Sequence, residues 1–320
     1  MDISIVIPAY NEAESIPELT EWISRVMQEN NLSYEILYID DGSTDGSWQT
    51  IERLADANGH IKGIKFKRNF GKSAGLNAGF DNCSGDVVIT MDADLQDSPD
   101  EIPALYNKVK NEGYDIVSGW KKKRHDPFIK NISSKLFNRV TRFFSSIKIH
   151  DFNCGLKAYR IEVVKSIKVQ GEMHRYIPLM AKWAGFTKIG ELVVQHQKRK
   201  YGKTKYGIER FLFGFLDLLS IIFVAKFGKR PMHLFGTIGT LSFVSGFLIA
   251  AWISYDKLAH IHDAVKARDV VDRPLFYLAL VAIILGMQLF LAGFLAEMLS
   301  RNNVEKDQHH IATKLGFGGE

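Results

Sequence analysis

Three carboxylates and an amide follow one apolar run, in the segment Asp92-Ala-Asp94-Leu-Gln96-Asp97. The preceding residues 87–91 are mostly β-branched and apolar, which indicates a buried parallel strand. Asp92 and Asp94 lie two residues apart, so in an extended chain their side chains point the same way. Two converging carboxylates repel each other unless a cation lies between them, and oxygen ligands suit Mg²⁺ or Mn²⁺. We therefore predict a divalent metal site here; the alternative is a solvated acidic loop.

The elements that must position these carboxylates are strands and helices that alternate through the first 120 residues. The pattern predicts a doubly wound, mostly parallel α/β sheet with right-handed crossovers. The predicted strands cover residues 3–7, 35–39, 63–66, 87–91 and 115–118. Their polar ends then lie along one edge, where open α/β sheets bind ligands. No glycine-rich phosphate fingerprint follows the first strand, so a bound nucleotide would depend on carboxylates and a metal ion.

Helix starts and the remaining strand-end carboxylates give further expectations. Ser15 is expected to cap the first helix, with Glu18 as its capping-box partner, and Ser98 is expected to cap a later helix. Asp41 could accept hydrogen bonds from a base or ribose, with Glu12 accepting from a ribose. The alternative for the carboxylates at 40–45 is that they only cap the next helix, which is the role expected of Asp45.

Composition sets the broad class of the protein. The 320 residues carry a net charge of +5 and only two cysteines, Cys83 and Cys154. The cysteines are too few for a disulfide framework and are expected to be reduced. The mildly basic charge suits work beside anionic lipid or on phosphate-bearing substrates. The sequence opens directly into a strand, so we expect no cleavable signal peptide.

Four motifs in register carry a family resemblance. They are Ile-Pro-Ala-Tyr-Asn-Glu (7–12), Asp-Asp-Gly-Ser-Thr-Asp (40–45), Arg-Asn-Phe-Gly-Lys (68–72) and Asp-Ala-Asp-Leu-Gln-Asp (92–97). In this order they resemble the inverting nucleotide-sugar glycosyltransferases of GT-A fold, glycosyltransferase family 2. Within that family they look most like the polyprenyl-phosphate branch, which contains dolichol-phosphate mannose synthases and bacterial undecaprenyl-phosphate glycosyltransferases.

The resemblance implies a donor, a metal and a set of site residues. The donor would be a nucleotide diphosphate-sugar, UDP-glucose-like or GDP-mannose-like. The metal, Mg²⁺ or Mn²⁺, would lie among Asp92, Asp94 and Gln96, and Asp94 would be catalytic. Arg199 and Lys205, in a segment like the family's mobile loop, would neutralise charge on the leaving diphosphate; the alternative is a basic stretch beside lipid headgroups. The full set of implied donor-binding residues is Pro8, Tyr10, Glu12, Asp41, Lys72, Asp92, Arg199 and Lys205.

A basic segment after the fifth strand is expected to meet the second substrate. Residues 121–144 place phenylalanines at helical spacing among lysines and arginines, which is typical of a helix on an anionic membrane surface. That interpretation suits the lysines of the segment. For the arginines and Ser134, the resemblance supports a more specific interpretation, in which Arg124, Ser134 and Arg139 bind the acceptor phosphate. Arg175, from a later motif, would join them. The phenylalanines look like a buried face, which makes nucleic-acid binding a poor alternative.

Asp151 is the candidate catalytic base, because the resemblance places the corresponding segment near the acceptor. A phosphate monoester is already largely a dianion at pH 7, so it hardly needs deprotonation. Asp151 is therefore either a base or a group that orients the acceptor side. The Gln-x-x-Arg-Trp motif of processive polysaccharide synthases is absent from residues 170–176, which argues against polymer synthesis.

The last third of the chain predicts membrane attachment. Residues 208–230 form an expected interfacial amphipathic segment. Residues 234–255 and 274–296 contain no Asp, Glu, Lys or Arg, and each is long enough to span a bilayer. Lysines and arginines flank the pair on its outer ends, so both ends and the catalytic domain are expected in the cytoplasm, with the protein in the cytoplasmic (inner) membrane. The expected domains are 1–207 (catalytic), 208–230, 231–300 (two spans) and 301–320 (tail).

Small residues in the spans suit close helix packing, including packing between subunits of a homo-oligomer. They are Ser242, Gly246 and Ala250 in the first span and Ala282 and Gly286 in the second. The chain is thus expected to transfer one sugar to polyprenyl phosphate. Two alternatives are a tethered glycosyltransferase with a non-lipid acceptor and a non-catalytic nucleotide-sugar or lipid-binding accessory of a flippase.

Overall fold

The computed structural model describes most of the chain and divides it into two units, Met1–Asp217 and Leu218–Glu320. The described residues are 1–122, 138–139, 141–143, 145–169, 173–197, 200–201, 231–260 and 269–302. The expected domain boundaries at 207, 230 and 300 fall at or beside residues outside these ranges, and so does the predicted interfacial segment.

The first unit alternates strands and helices as expected. Its first half contains β1 (Ile3–Ala9), α1 (Ile16–Glu29), β2 (Tyr34–Asp40), α2 (Ser47–Ala57), β3 (Ile61–Lys65), α3 (Lys72–Asn82), β4 (Val87–Thr90), a 3₁₀ turn (Pro99–Glu101), α4 (Ile102–Lys110) and β5 (Ile116–Trp120). Its second half contains β6 (Lys157–Arg160), α5 (Ile161–Ser166), a 3₁₀ turn (Met173–Tyr176), α6 (Ile177–Trp183) and β7 (Ile189–Val193).

The strands form one seven-stranded sheet in the order β3-β2-β1-β4-β6-β5-β7. β1 pairs in parallel with β2 and β4, and β2 pairs in parallel with β3. β6 is antiparallel to both of its neighbours, β4 and β5, while β7 is parallel to β5. The predicted mostly parallel sheet is confirmed, with one inserted antiparallel strand that the sequence pattern did not reveal. All strands except β6 therefore end at one edge, called here the carboxyl edge; the opposite end of the sheet is the amino edge.

Burial on both faces of the sheet explains why the central strands read as continuous apolar runs. Along β1, Ile3, Ile5 and Ile7 pack into one hydrophobic cluster, whereas Val6 packs into the cluster on the other face. Helices cover both clusters, so polar side chains are tolerated chiefly at the strand ends. Several of the predicted site residues of the first unit lie there.

One predicted helix cap is present and one is wrong. The Ser98 side chain accepts a hydrogen bond from the Asp100 N–H at 3.3 Å, as a cap should. Ser15 makes no such bond, because its own N–H already donates to the Glu12 carbonyl and its backbone is helical. Glu18, the expected capping-box partner, instead accepts hydrogen bonds from the Lys200 ammonium at 2.8 Å.

The second unit is a hairpin of two long helices, α7 (Pro231–Ala259) and α8 (Pro274–Asn302), with a 3₁₀ turn (Val270–Asp272) before α8. Both helices are long and apolar enough to cross a membrane, over Pro231–Ala259 and Pro274–Leu299. Large apolar side chains along both helices are exposed, which suits a lipid environment rather than water. The two predicted spans are thus present as candidate membrane helices, each longer than the uncharged run that predicted it.

The small residues of the hairpin pack the two helices against each other. A Cβ at Gly246 would lie 2.7 Å from the Ala279 carbonyl oxygen, and one at Gly286 would lie 2.5 Å from the Phe243 nitrogen. The Ser242 hydroxyl donates to the Ala282 carbonyl at 2.9 Å. These faces are therefore occupied within one chain, and a homo-oligomer formed through other faces stays a prediction.

Candidate active site

Asp92 lies just beyond β4 at the carboxyl edge and forms an ion pair with Lys72, the first residue of α3. Burial acts to raise the pKa of Asp92, but the Lys72 ammonium outweighs it and holds the pKa below its ordinary value. The carboxyl group is therefore ionised at neutral pH. The two residues were predicted separately as donor-binding groups, and the fold brings them into direct contact.

The turn of residues 151–156 supports Asp92 from the other side. A Cβ at Gly155 would lie 2.5 Å from Asp92 Oδ2, so only glycine lets this backbone approach the carboxylate. The Thr90 hydroxyl donates to the Gly155 carbonyl at 2.8 Å and fixes the turn against the end of β4. Asp92 is thus held between the Lys72 ammonium and the backbone at Gly155.

Asp94 and Gln96 belong to one tight turn. Asp94 Oδ1 accepts the Gln96 N–H at 3.2 Å, and the intervening Leu95 is left-handed, with φ of 59°. Leu95 is buried in the hydrophobic core, which anchors the turn from below. The Gln96 carbonyl accepts the Gln197 N–H at 2.9 Å. The segment after β7 therefore lies directly beside this turn.

Asp97 ends the turn in a buried ion pair that sequence reasoning missed. Lys121 Nζ lies 2.6 Å from Asp97 Oδ1, with 12% of the lysine side chain and none of the aspartate side chain exposed. The prediction that the lysines of residues 121–144 lie on a membrane surface is wrong for Lys121. The error arose because Lys121 follows β5 directly, at the carboxyl edge, and turns inward there. The only available signal was its position at a strand end.

The oxygen donors at this edge fit a divalent cation. Among the described ranges there is no group of three or more His, Cys, Asp or Glu residues that could hold a metal ion. Mg²⁺, however, is commonly held by one or two carboxylates, with substrate phosphates and water completing its shell. Asp94 and Gln96 supply a carboxylate and an amide oxygen, and Asp92 lies two residues away. Burial raises the pKa of Asp97, Lys121 opposes the rise, and the negative charges of Asp92 and Asp94 add to it.

Asp41, at the end of β2, holds a neighbouring loop. Its two carboxylate oxygens accept the N–H groups of Phe70 at 2.7 Å and Gly71 at 2.9 Å. Burial raises the pKa of Asp41, while these two hydrogen bonds oppose the rise. Asp41 thus links β2 to the loop that leads into α3 and Lys72, and its predicted role near a base remains a prediction.

Asp45 accepts a hydrogen bond at the start of α2, as expected, although the N-cap residue itself is Gly46. Asp45 Oδ1 accepts the N–H of Ser47, the first residue of α2, at 2.9 Å. Its other oxygen accepts the Ala13 N–H at 3.2 Å, which joins the turns that follow β1 and β2. Asp45 is therefore a structural residue of this edge.

The donor residues predicted around β1 lie at the same edge. Pro8 is the next-to-last residue of β1 and packs against α3, where a Cβ at Gly75 would lie 3.2 Å from the Pro8 Cβ. Tyr10 and Glu12 follow the strand and are half-buried. The Glu12 N–H donates to the Ser47 hydroxyl at 2.9 Å, so the turn is fixed to the start of α2.

Asp151 is buried, and its side chain accepts a hydrogen bond within its own turn. Its side chain accepts the Asn153 N–H at 3.0 Å, and its carbonyl accepts the Ser118 hydroxyl at 3.0 Å. The residue is 1% exposed, in the same turn as Gly155. This placement favours a group that orients the turn beneath Asp92 over a base that meets an incoming acceptor.

The 3₁₀ turn of residues 173–176 brings Arg175 to the start of α3. His174 Nδ1 lies 3.3 Å from the Ser73 hydroxyl. Burial, together with the positive charges of Lys72 and Arg175, lowers the pKa of His174 well below its usual value. The imidazole is therefore neutral, and the positive charge of Arg175 lies close to it.

The other predicted acceptor and diphosphate residues are only partly described. Arg139 is exposed, in a helical stretch whose Phe143 is 79% exposed, so this phenylalanine is not on a buried face as expected. The exposure fits the alternative in which the stretch faces lipid. The predicted residues outside the described ranges are Arg124, Ser134, Arg199 and Lys205.

Comparison with known proteins agrees with this geometry. Residues 4–168 match the family model described as glycosyl transferase family 2. A dodecaprenyl-phosphate galacturonate synthase of Rhizobium johnstonii is 33% identical over 310 residues, covering 96% of this chain and 90% of that protein. An undecaprenyl-phosphate 4-deoxy-4-formamido-L-arabinose transferase of Proteus mirabilis is 33% identical over 316 residues, covering 98% and 93%.

Solved structures support the fold. The glucosyl-3-phosphoglycerate synthase of Mycobacterium tuberculosis, in complex with phosphoglyceric acid, aligns with a TM-score of 0.54 at 20% identity, covering 70% of this chain and 79% of that one. The same enzyme with Mn²⁺, uridine diphosphate and phosphoglyceric acid aligns with a TM-score of 0.54 at 18% identity, covering 70% and 78%. The sheet, the match to the family model and the near full-length relatives together show that this chain is a glycosyltransferase of GT-A fold that belongs to family 2, in its polyprenyl-phosphate branch.

Proposed function

We propose that this protein transfers one sugar from a nucleotide diphosphate-sugar to the phosphate of a polyprenyl lipid, at the membrane surface and with inversion at the anomeric carbon. The observation that carries the proposal is the acidic turn 92–97 at the carboxyl edge, set against Lys72, in a chain that also has two candidate membrane helices. A soluble acceptor would not require the helices, whereas a lipid phosphate is found only where they would hold the enzyme.

The donor is expected at the edge formed by the ends of β1, β2 and β4. Pro8, Tyr10, Glu12 and Asp41 would contact the base and ribose, and Asp94 and Gln96 would hold a divalent cation against the diphosphate. When bound, that cation would act as a Lewis acid that stabilises the charge developing on the leaving diphosphate. Lys72 would orient Asp92 for its contact with the donor.

The acceptor side depends on charge rather than on a strong base. One oxygen of the lipid phosphate forms the new bond to the anomeric carbon while the bond to the nucleotide diphosphate breaks. Because that phosphate is already largely a dianion at pH 7, no proton need be removed. Arg175 would attract the phosphate, together with Arg124, Ser134 and Arg139, and Arg199 and Lys205 would neutralise the departing diphosphate.

The role of Asp151 can be decided by one substitution. Asp151→Asn keeps the shape and the hydrogen bond from Asn153, and it removes the ability to accept a proton. We expect activity within a few-fold of wild type. A loss of three or more orders of magnitude at unchanged thermal stability would make Asp151 a base, contrary to the proposal.

The identity of the sugar calls for a donor panel. The relatives transfer galacturonate and 4-deoxy-4-formamido-L-arabinose by name, so both should join glucose and mannose as radiolabelled UDP or GDP derivatives. Full-length enzyme in detergent would receive each donor with Mg²⁺ or Mn²⁺ and a short-chain polyprenyl phosphate. We expect one donor to pass label into the organic phase. Label that is released to water or joined to a soluble acceptor, with none in lipid, would favour the tethered transferase; binding without turnover would favour the accessory protein.

A further inference from the structure

The Lys121–Asp97 ion pair is more deeply enclosed than the other ion pairs of the described residues. The two charged atoms lie 2.6 Å apart, and the aspartate side chain has no exposed surface. Removing two charges from water costs about as much free energy as their attraction gains. A buried ion pair is therefore weak evidence of a role in stability. Its position in the molecule is more informative.

The pair fixes the end of the turn that carries the proposed metal ligands. Leu95, in the middle of this turn, has a left-handed backbone that non-glycine residues rarely adopt, and such a conformation persists only where its surroundings hold it. The turn is held at its end by the Asp97–Lys121 pair and by a β-bridge between Asp97 and His196. A displaced Asp97 would therefore release Gln96, its immediate neighbour, and Asp94.

Lys121 follows a strand that is not adjacent to β4 in the sheet. Lys121 directly follows β5, and β6 lies between β5 and β4 in the sheet, so the lysine side chain reaches across the start of β6 to the turn after β4. Cys154 is nearby, but burial raises the pKa of its thiol to about 12. The thiol is uncharged at neutral pH. Asp97, 2.6 Å away, is the carboxylate in direct contact with Lys121, and Asp92 acts on the lysine from farther off.

Building on the proposed function, we propose that Lys121 is a positioning residue of the metal site: by pairing with the enclosed Asp97, it holds the turn in which Asp94 and Gln96 present their oxygens to a divalent cation. Lys121 does not touch the cation or the donor. Groups that orient metal ligands from behind typically change metal affinity by about 10- to 100-fold when they are removed.

The chain offers a matched control at the amino edge. Lys62 Nζ lies 2.7 Å from Glu35 Oε2, and the Glu35 side chain is as enclosed as that of Asp97, with 1% exposed. This pair also joins a lysine to a buried carboxylate, but it lies at the opposite end of the strands from the acidic turn. The Lys62 side chain is 54% exposed, whereas that of Lys121 is 12% exposed, so the control reports the effect of removing the lysine partner of a buried carboxylate.

The test measures binding of Mn²⁺ itself, by the electron paramagnetic resonance signal of the free ion, to full-length protein in detergent with and without UDP. The variants are Lys121→Met, the double variant Lys121→Met/Asp97→Asn, and Lys62→Met. Circular dichroism and thermal denaturation would report folding. We expect the first two to bind Mn²⁺ about 10- to 100-fold more weakly than wild type and Lys62→Met to bind as wild type does.

Each outcome decides between a positioning role and its alternatives. The double variant leaves no lone buried charge, so it remains informative if Lys121→Met does not fold. Wild-type Mn²⁺ affinity in the double variant would overturn the inference while leaving the proposed function intact, and so would equal weakening in Lys62→Met. If the wild type bound no Mn²⁺ with or without UDP, the metal site of the proposed function would fail, and this inference with it.

Discussion

Buried carboxylates lie at both edges of the sheet, but the groups that surround them differ. At the amino edge, Glu35 stands alone among donors: it accepts hydrogen bonds from Ser4 Oγ at 2.5 Å, from Ser84 N and Oγ at 2.9 Å each, and from Lys62. At the carboxyl edge, Asp92, Asp94 and Asp97 lie within one turn, and the charges of the first two act on the third. At the amino edge, one carboxylate is surrounded by hydrogen-bond donors, whereas at the carboxyl edge several carboxylates lie close together.

The contrast separates a structural acid from acids that serve a ligand. Like charges held close together destabilise a fold, and a single acid is enough to cap a helix or to link two elements. At the carboxyl edge, ion pairs with Lys72 and Lys121, which come from two separate parts of the chain, partly offset this repulsion. A divalent cation and its donor would offset the rest. Substitutions at the two edges should therefore separate activity from stability.

The largest expected effect is that of Asp94→Asn. The change removes a ligand charge without altering shape, and a bound metal ion supplies several kcal/mol of transition-state stabilisation, so kcat/KM for sugar transfer should fall by about 10³-fold or more. Thermal stability should stay near wild type, since the charge repulsion in the turn decreases. Activity within tenfold of wild type would remove Asp94 from the metal site.

The next effect in size is that of Gly155→Ala. The new Cβ would lie 2.5 Å from Asp92 Oδ2 and push the carboxylate away from its place. A displacement of about 1 Å at a reacting site can cost about 10²-fold in rate, so we expect a loss of that order in kcat/KM. Gly59→Ala is the control, because nothing lies within 4 Å of a Cβ at that position. Equal activity in the two variants would show that the contact between residues 155 and 92 has no functional role.

Glu35→Gln should show the opposite pattern, with stability lost and activity kept. Replacing the carboxylate weakens hydrogen bonds from two serines and a lysine at a buried site, which typically costs about 1–3 kcal/mol of the free energy of unfolding. Thermal denaturation would show a lower Tm, and kcat/KM measured below that temperature should match wild type. A large loss of activity at full stability would break the distinction between the two edges.

The same residue predicts a dependence of stability on pH. Burial acts to raise the pKa of Glu35, but hydrogen bonds from Lys62, Ser4 and Ser84 outweigh it, so the folded pKa lies below the ordinary value. Its contribution is therefore complete above the unfolded pKa of about 4.3 and is lost as pH falls through the lower folded value. Below pH 4.3, the Tm of wild type should fall more steeply than that of Glu35→Gln. Parallel curves would show that Glu35 has the same pKa in both states.

The smallest effect is expected at an exposed pair of the amino edge. Lys110 Nζ lies 2.5 Å from Asp86 Oδ2, with roughly half of each side chain exposed. Water and salt screen such pairs, so Lys110→Met should change neither Tm nor kcat/KM measurably. A marked fall in Tm would show that surface pairing at this edge matters more than the burial of Glu35.

Much of this arrangement follows from local sequence pattern. Apolar runs identified β1, β2 and β4, those of β2 and β4 ending in carboxylates, and parallel pairing then required the strand ends to share an edge. The acidic turn, the Ser98 cap and the two long apolar helices were likewise visible as short segments. Each depends on residues that are neighbours in the chain, which is why sequence alone could find them.

The missed features depend on residues that are far apart in sequence. Nothing local to Lys121 distinguishes it from the lysines that follow it, because its inward direction depends on β6 being inserted between β4 and β5. Likewise, the predicted box of Ser15 and Glu18 fails because Glu12 has already begun the turn and Lys200 binds Glu18. Long-range pairing thus decided the partners of Lys121 and Glu18, whereas the failure of the Ser15 cap is local.

The most direct test of the account is to locate the cation itself. Crystals of the full-length protein grown with Mn²⁺ and a nucleoside diphosphate would give an anomalous signal at the manganese position. The account predicts a peak at the carboxyl edge, about 2.0–2.2 Å from oxygens of Asp94 and Gln96 and in contact with the diphosphate. A bound diphosphate with no manganese at Asp94, or with manganese held only by other residues, would contradict it.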